Sequence, residues 1–194
     1  MAYETFTPLY HEIFTKVNNA KDKAKKVEVL RKHDSTNLRG FLMVAFNPDI
    51  EWMLPEGDVP YMPNDAPDGT DHTRLDSEGR LLFHFVKKKV FGTTDEWVIG
   101  DPQLNDMKRE TMFIQLLEGL STGEAECLCM AKARTLHRKY KGLNANSIRA
   151  AFGWDENFID AKLVAERNAN APKPTGPPDL GRMPQDLAED RRYG

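Results

Sequence analysis

The sequence predicts a mostly α-helical fold. A compact multi-helix domain is interrupted by a long acidic, Pro-rich loop and followed by a disordered or extended tail. Three observations carry this expectation. Apolar residues recur at three- and four-residue spacing in both halves of the chain. Residues 55–79 hold four prolines, three glycines and seven carboxylates against the single Arg74. After Arg167 the chain is rich in Pro and poor in large apolar residues, a composition that cannot bury enough surface to order itself.

In the first third, Leu9, Ile13 and Val17 mark one helix, Ala24, Val27 and Leu30 a second, and Leu38, Phe41, Leu42 and Ala45 a third. Ser35 or Thr36 can accept the first free amides of the third helix. Pro48 disfavours helical backbone at Asn47 and so ends it. Ile50, Trp52 and Leu54 alternate with Glu51 and Met53, which suits a short extended segment laid on the helices, too isolated for a sheet. The 55–79 loop is expected to be mobile or held by a partner. Leu81, Leu82, Phe85 and Val86 form a short helix or strand, with Lys87, Lys88 and Lys89 exposed beyond it.

The second helical block has Met107, Thr111, Ile114 and Leu117 on one stripe, widened by Phe113, Leu116 and Leu120. Ser121 with Glu124 three residues on fits a capping box. The helix it opens buries Ala125, Leu128, Cys129 and the stem of Lys132. Asn144 is placed to cap a further helix with Ile148, Ala151 and Phe152 inside, and Gly153 to close it in the left-handed conformation. Asp155 is a candidate start for another, with Phe158, Ile159 and Leu163 on one side. The domain is expected to span residues 1–167 and the tail residues 168–194.

Several classes of function are disfavoured. The net charge of −3 argues against a uniformly basic nucleic-acid binder but leaves room for a local basic face. No apolar run approaches the ~20 residues of a membrane span, and no basic-then-apolar leader opens the sequence, so an intracellular protein with no membrane partner is expected. Cys127 and Cys129, two apart on a helix, suit core packing better than a metal or disulfide. None of the five histidines pairs with another at i, i+4, and no carboxylate pair is singled out by spacing. Trp52, Trp97 and Trp154 read as core or interface anchors rather than a stacking platform. No enzyme and no cofactor is expected.

Charge order supplies the candidate site. Between Cys127 and Trp154 there is no Asp or Glu, while Lys132, Arg134, Arg138, Lys139, Lys141 and Arg149 provide six positive charges. A second cluster, Lys16, Lys21, Lys23, Lys25, Lys26, Arg31 and Lys32, is opposed only by Asp22 and Glu28. Cations on two helix-loop elements can line a phosphate backbone, each contact gaining affinity from counterion release. The competing reading is a solvated basic face balanced by the acidic loop. The first reading takes Gly142, beside Arg138, Lys139 and Lys141, to let a phosphate approach the backbone.

Two stretches carry a resemblance. The run from Glu12 to Leu54 resembles the opening of the α-helical DNA-binding domain at the N-terminus of phage-type ATP-dependent DNA ligases: a helix, a lysine-rich connection, two more helices and an aromatic-rich extended segment. The run from Phe113 to Gly153 is similar to that domain's later helices. A ligase also needs a lysine nucleophile in a Lys-x-Asp-Gly setting. The nearest approach, Lys32-His33-Asp34-Ser35, lacks the glycine and lies in the helical block, so the resemblance implies DNA binding without ligation. The phrases LRKHDS..LRG, F.P.I.WMLPEG and FIQLLEGL...EAE.L...K........YKGL, between Leu30 and Phe152, also resemble an uncharacterised protein family of large contractile-tailed phages, cyanophages included. That likeness implies a phage product in the host cytoplasm, the virion remaining open, and supplies no activity. The expected function is a non-enzymatic phage accessory protein that binds duplex DNA through a basic, helix-turn-helix-like surface. The alternative is a module that binds a host or virion protein through the 55–79 loop and the 168–194 tail.

Overall fold

A computed structural model describes residues 7–67, 72–90, 96–162 and 165. By its internal contacts the chain divides into a unit Met1–Ala161 and a unit Lys162–Gly194; of the second, only residues 162 and 165 are described. The 168–194 tail and Leu163 lie outside the described residues.

The first unit is mostly α-helical, as the apolar spacing predicts. It opens with α1 (Tyr10–Asn19), α2 (Lys23–Lys32) and α3 (Thr36–Phe46). Local chemistry starts and stops these helices. The side chain of Asp22 accepts from the Lys25 amide, that of Ser35 accepts from Leu38, and α3 stops with Asn47 in extended backbone before Pro48. α1 buries Tyr10, Ile13, Phe14 and Val17, and α3 buries Leu38, Phe41, Leu42, Val44 and Ala45. Their rings interlock: Phe14 stacks on Phe41 at 5.7 Å, while Tyr10 meets Phe41 edge-on at 5.4 Å. α2 is more peripheral than its spacing implies. Only Leu30 is fully buried and Ala24 is exposed, because most of this helix's residues are charged and its apolar ones meet only a seam with α1 and α8.

The expectation of an isolated extended segment is corrected. Ile50–Trp52 is β1 of a three-stranded antiparallel sheet, followed in order by β2 (Val86–Lys89) and β3 (Trp97–Ile99). Ile50 faces Lys88 and Trp52 faces Val86, so the pairing partner lies more than 30 residues away, beyond the reach of any local pattern. Residues 81–86 resolve into a 3₁₀ helix, Gly79–Phe85, running directly into β2. Of the three lysines, Lys88 is exposed, whereas Lys87 and Lys89 are half-buried on the central strand.

The acidic loop is also corrected. It ends early, in α4 (Leu75–Glu78), and the described parts are strapped to the helical core by their own chain. Asn64 bridges Ser121 and Thr73 bridges Leu120, Thr122 donates to the Asn64 carbonyl, and Lys132 Nζ donates to Gly57 O at 2.9 Å. The polar composition of the segment hides this, because backbone groups rather than side chains make most of the attachments.

The second block comprises α5 (Asp106–Gly119), α6 (Thr122–Lys132), α7 (Leu136–Lys139) and α8 (Ala145–Phe152). On α5 the expected stripe is rotated. Met107 is 80% exposed, Thr111 is exposed and Ile114 only half-buried, while Arg109, Phe113, Leu116 and Leu117 face inward. The rotation follows from Phe113, whose ring must meet Phe85 at 5.0 Å and Trp52 at 5.9 Å beneath the sheet. On α6, Cys127 is fully buried and Cys129 only half, the reverse of the expected emphasis. Burial pushes the Cys127 thiol up to about 12 and the Cys129 thiol up to about 11, so both stay protonated at neutral pH. Asn144 caps α8 and Gly153 closes it at φ 70°, both as expected. Asp155 starts no helix; its Oδ1 takes the amides of Asn157 and Ile159 in a turn, and Trp154 pairs with Asp160.

Leu42 and Leu117 are fully buried, from the two helical blocks. Truncating either to Ala is expected to cost about 2–5 kcal/mol, through lost transfer energy plus the cavity left behind. Urea melts of the two variants check this.

Candidate nucleic-acid interface

The six cations chosen from charge order do not stay together. α6 ends in a turn in which Arg134 adopts φ 54°, outside the region most side chains prefer. That backbone turns its guanidinium back toward the sheet, where it donates to the carbonyls of Asn47, at 3.0 Å, and Ile50. Burial lowers the pKa of Arg134, opposed by the charge of Glu51. Its role is therefore to close the end of α3 and the edge of β1. Lys132 is held by Gly57 O and, with Arg134, lines a cleft of about 640 Å³ also bounded by Trp52, Glu56 and Asp58. Both residues face away from a common cationic surface.

Arg138, Lys139 and Lys141 do remain exposed. α7 is a single turn held by buried Leu136 and Tyr140 at its two ends, which leaves the three cations pointing outward between them and beyond. Lys139 is tied to Glu126 at 2.6 Å, so Arg138 and Lys141 carry the charge no described carboxylate offsets. Arg149 is half-buried, donating to Asn146 Oδ1 at 2.6 Å with its guanidinium 6.0 Å above the Phe158 ring.

Gly142 has a different role from the one expected. It is buried, and the space a side chain would occupy is taken by α1: a Cβ there would lie 2.8 Å from the Val17 carbonyl oxygen and 3.0 Å from Asn18 Cα. Its N–H donates to Asn18 Oδ1 at 3.2 Å. The glycine admits a protein backbone, not a phosphate. This close approach has a consequence for charge, because it sets the α7–α8 turn against the end of α1 and brings the Lys26 side chain to 3.1 Å from the same point.

The second basic cluster is thereby joined to the first. α2 lies along α8, and Arg31 donates through Nε to Ala151 O and through Nη2 to Ala150 O, both at 2.9 Å, satisfying carbonyls at the end of α8. Arg31 is thus spent on structure. Lys16, Lys21, Lys23, Lys25 and Lys32 are exposed, and Asp22 is engaged in capping α2. The pKa of His33 is lowered, first by burial and then by Lys16 and Lys32, which converge on it from α1 and α2. Charge order marks this cluster as basic but does not place it in the candidate set. Nothing local signals that residues 16–32 and 138–142 meet.

Among the described residues no group of three His, Cys, Asp or Glu side chains is placed to hold a metal ion, and no helix is long and apolar enough to cross a membrane. No curated protein and no solved structure matches the chain. Residues 13–138, from the first turns of α1 to the last turn of α7, match DUF6433, a family of unknown function. The match covers most of the lysine-rich α1–α2 segment together with Lys132, Arg134 and Arg138, and by that extent the chain belongs to DUF6433.

Proposed function

We propose that this protein is a non-enzymatic accessory factor of a tailed phage that binds duplex DNA by its phosphate backbone. The binding surface is the exposed face of the α1–α2 connection, α2 and the α7–α8 turn. One observation supports this reading above the others: two acid-poor cationic segments, more than 100 residues apart, are packed side by side through Gly142, Asn18 and Lys26. A solvated basic face needs no such convergence, whereas backbone binding requires cations spread over two elements that can follow one groove edge. The contact set is Arg138, Lys139 and Lys141 with Lys21, Lys25 and Lys26. Lys132 and Arg134 are left out because they are half-buried and held by backbone carbonyls, whereas Lys139 is exposed and its one partner, Glu126, is an exposed side chain that a phosphate can replace. The ligase-domain likeness of the helix order agrees with this reading. The acidic loop is a weaker candidate for a free protein-binding arm, since its described parts are attached to α5 and α6.

The test is fluorescence anisotropy with a duplex oligonucleotide across a salt series. Six phosphate contacts predict a fall in affinity of roughly a thousandfold between about 50 and 200 mM salt. Changing Arg138, Lys139 and Lys141 together to Glu should abolish binding, while the same change at Lys87, Lys88 and Lys89, on the sheet, should weaken it far less. Equal loss from both triples would reduce the effect to bulk charge. Absence of binding by the parent protein at low salt would end the DNA reading.

A further inference from the structure

The two edges of the small sheet are treated differently. On β1 the outward carbonyl of Ile50 is covered by the Arg134 guanidinium. Among the described residues β3 has no such cover. Val90 N–H donates to Glu96 O at 2.9 Å and Gly100 N–H to Val86 O at 3.1 Å, so residues 96, 98 and 100 bond toward β2. The N–H and C=O of Trp97 and Ile99 therefore point to the open edge, where no described residue takes them. Natural sheets guard such an edge with a charged residue, a proline or a bulge. β3 is Trp-Val-Ile, with Val98 60% and Ile99 39% exposed, and the 49% exposed Phe83 next to it through the packing of Gly100 on the Phe83 carbonyl.

Charge says what fits there. Lys87 and Lys89 share a sheet face with Trp97 and Ile99, and both reach sideways: Lys87 Nζ lies 4.5 Å and Lys89 Nζ 5.2 Å from the Trp97 ring centroid. The ring of the edge strand thus leans toward the central strand, and of the two ammonium groups that meet it the one of Lys89, paired in register with Trp97, lies on the side of an added neighbour one strand spacing of ~4.8 Å beyond β3. Lys87 is shared with Glu51 at 2.9 Å, whereas Lys89 meets no described carboxylate. The two ammonium groups also occupy the approach to the Trp97 ring, which disfavours stacking of a nucleobase on it. We propose that the β3 edge takes up an extended acidic peptide segment of another protein by strand addition. The guest's carboxylates lie on the face of Lys87 and Lys89, and its alternate apolar side chains lie beside Val98. This surface is separate from the proposed DNA face and does not depend on it.

The test uses the full chain and a capped hexapeptide of alternating Glu and Val, with a Lys-Val hexapeptide as control. Amide exchange is followed by NMR. The acidic peptide is expected to slow exchange at Trp97 and Ile99 at least tenfold and to leave the amides of α1 and α2 unchanged. Lys89→Glu should weaken its binding at least tenfold, and Lys89→Gln should lie between, with both variants keeping the parent melting temperature. No slowing at those two amides, or equal binding of the Lys-Val peptide, overturns the proposal. Protection at Trp97 and Ile99 in the peptide-free protein that disappears on dilution also overturns it, making a second copy the occupant. Protection given by a single-stranded oligothymidine and not by the acidic peptide would overturn it in favour of nucleic acid.

Discussion

Glu124→Ala is expected to destabilise the protein by about 2–5 kcal/mol, because two buried amides would lose their only acceptor. Glu124 is 1% exposed, and its carboxylate accepts from the Tyr10 N–H at 3.0 Å and from the Leu75 N–H at 2.7 Å. Those are the first helical residues of α1 and α4, so one side chain on α6 caps the starts of two other helices. The Ser121 side chain still accepts from the Glu124 amide, but the reciprocal half of the expected capping box is absent. The carboxylate is drawn away by partners 114 and 49 residues distant. Its pKa is raised, burial outweighing the two amide bonds and the charges of Arg74 and His11. A raised carboxyl means that the native state binds the proton more readily than the unfolded chain. The stabilisation linked to this group is therefore full below the ordinary value of 4.5 and is lost as pH rises through the native pKa. Urea melts at several pH values check both parts: the gap between parent and Glu124→Ala should persist at neutral pH and widen as pH falls toward 4.5. A gap that narrows on acidification would contradict the sign.

Arg109→Leu is expected to cost about 3–5 kcal/mol, by the same physics acting on carbonyls instead of amides. Arg109 is 2% exposed, the largest fully buried side chain among the described residues. Nε donates to His84 O at 2.9 Å, and Nη2 donates to Leu104 O at 2.7 Å and Asp101 O at 3.4 Å; Nη1 meets Asp106 at 2.5 Å. Those partners come from the 3₁₀ helix, the segment after β3 and the first turn of α5, so the guanidinium ties the sheet to the helical core. Leucine preserves apolar contact with the arginine stem's neighbours but leaves three carbonyls without a donor. Thermal melts should show the loss, and hydrogen exchange should show it earliest in residues 97–104. Arg109→Lys restores the charge but not the fork, and should recover only part of the loss. Full recovery by lysine would show that charge alone, not multidentate geometry, holds this corner.

These two residues mark the boundary of what spacing and composition can disclose. Ser35, Asn144 and Gly153 act on groups within four residues of themselves, so their chemistry and position name the helix ends directly. Leu42, Leu117, Leu128 and Ile148 are legible as core for a similar reason, since helical periodicity repeats within one element. The mostly α-helical class and the existence of two basic segments follow from such short-range signals. Tertiary structure decided what each polar group does with its remaining valence. Glu124 could have completed its own capping box, Arg134 could have joined its basic neighbours, and the described parts of the polar 55–79 loop could have stood free. Each is instead claimed by backbone groups far along the chain, because a buried amide or carbonyl without a partner costs more than a local arrangement gains. The sheet and the meeting of residues 16–32 with 138–142 belong to the same class: both require segments distant in sequence to touch, and a one-dimensional pattern records which side chains are present, not which backbone arrives beside them.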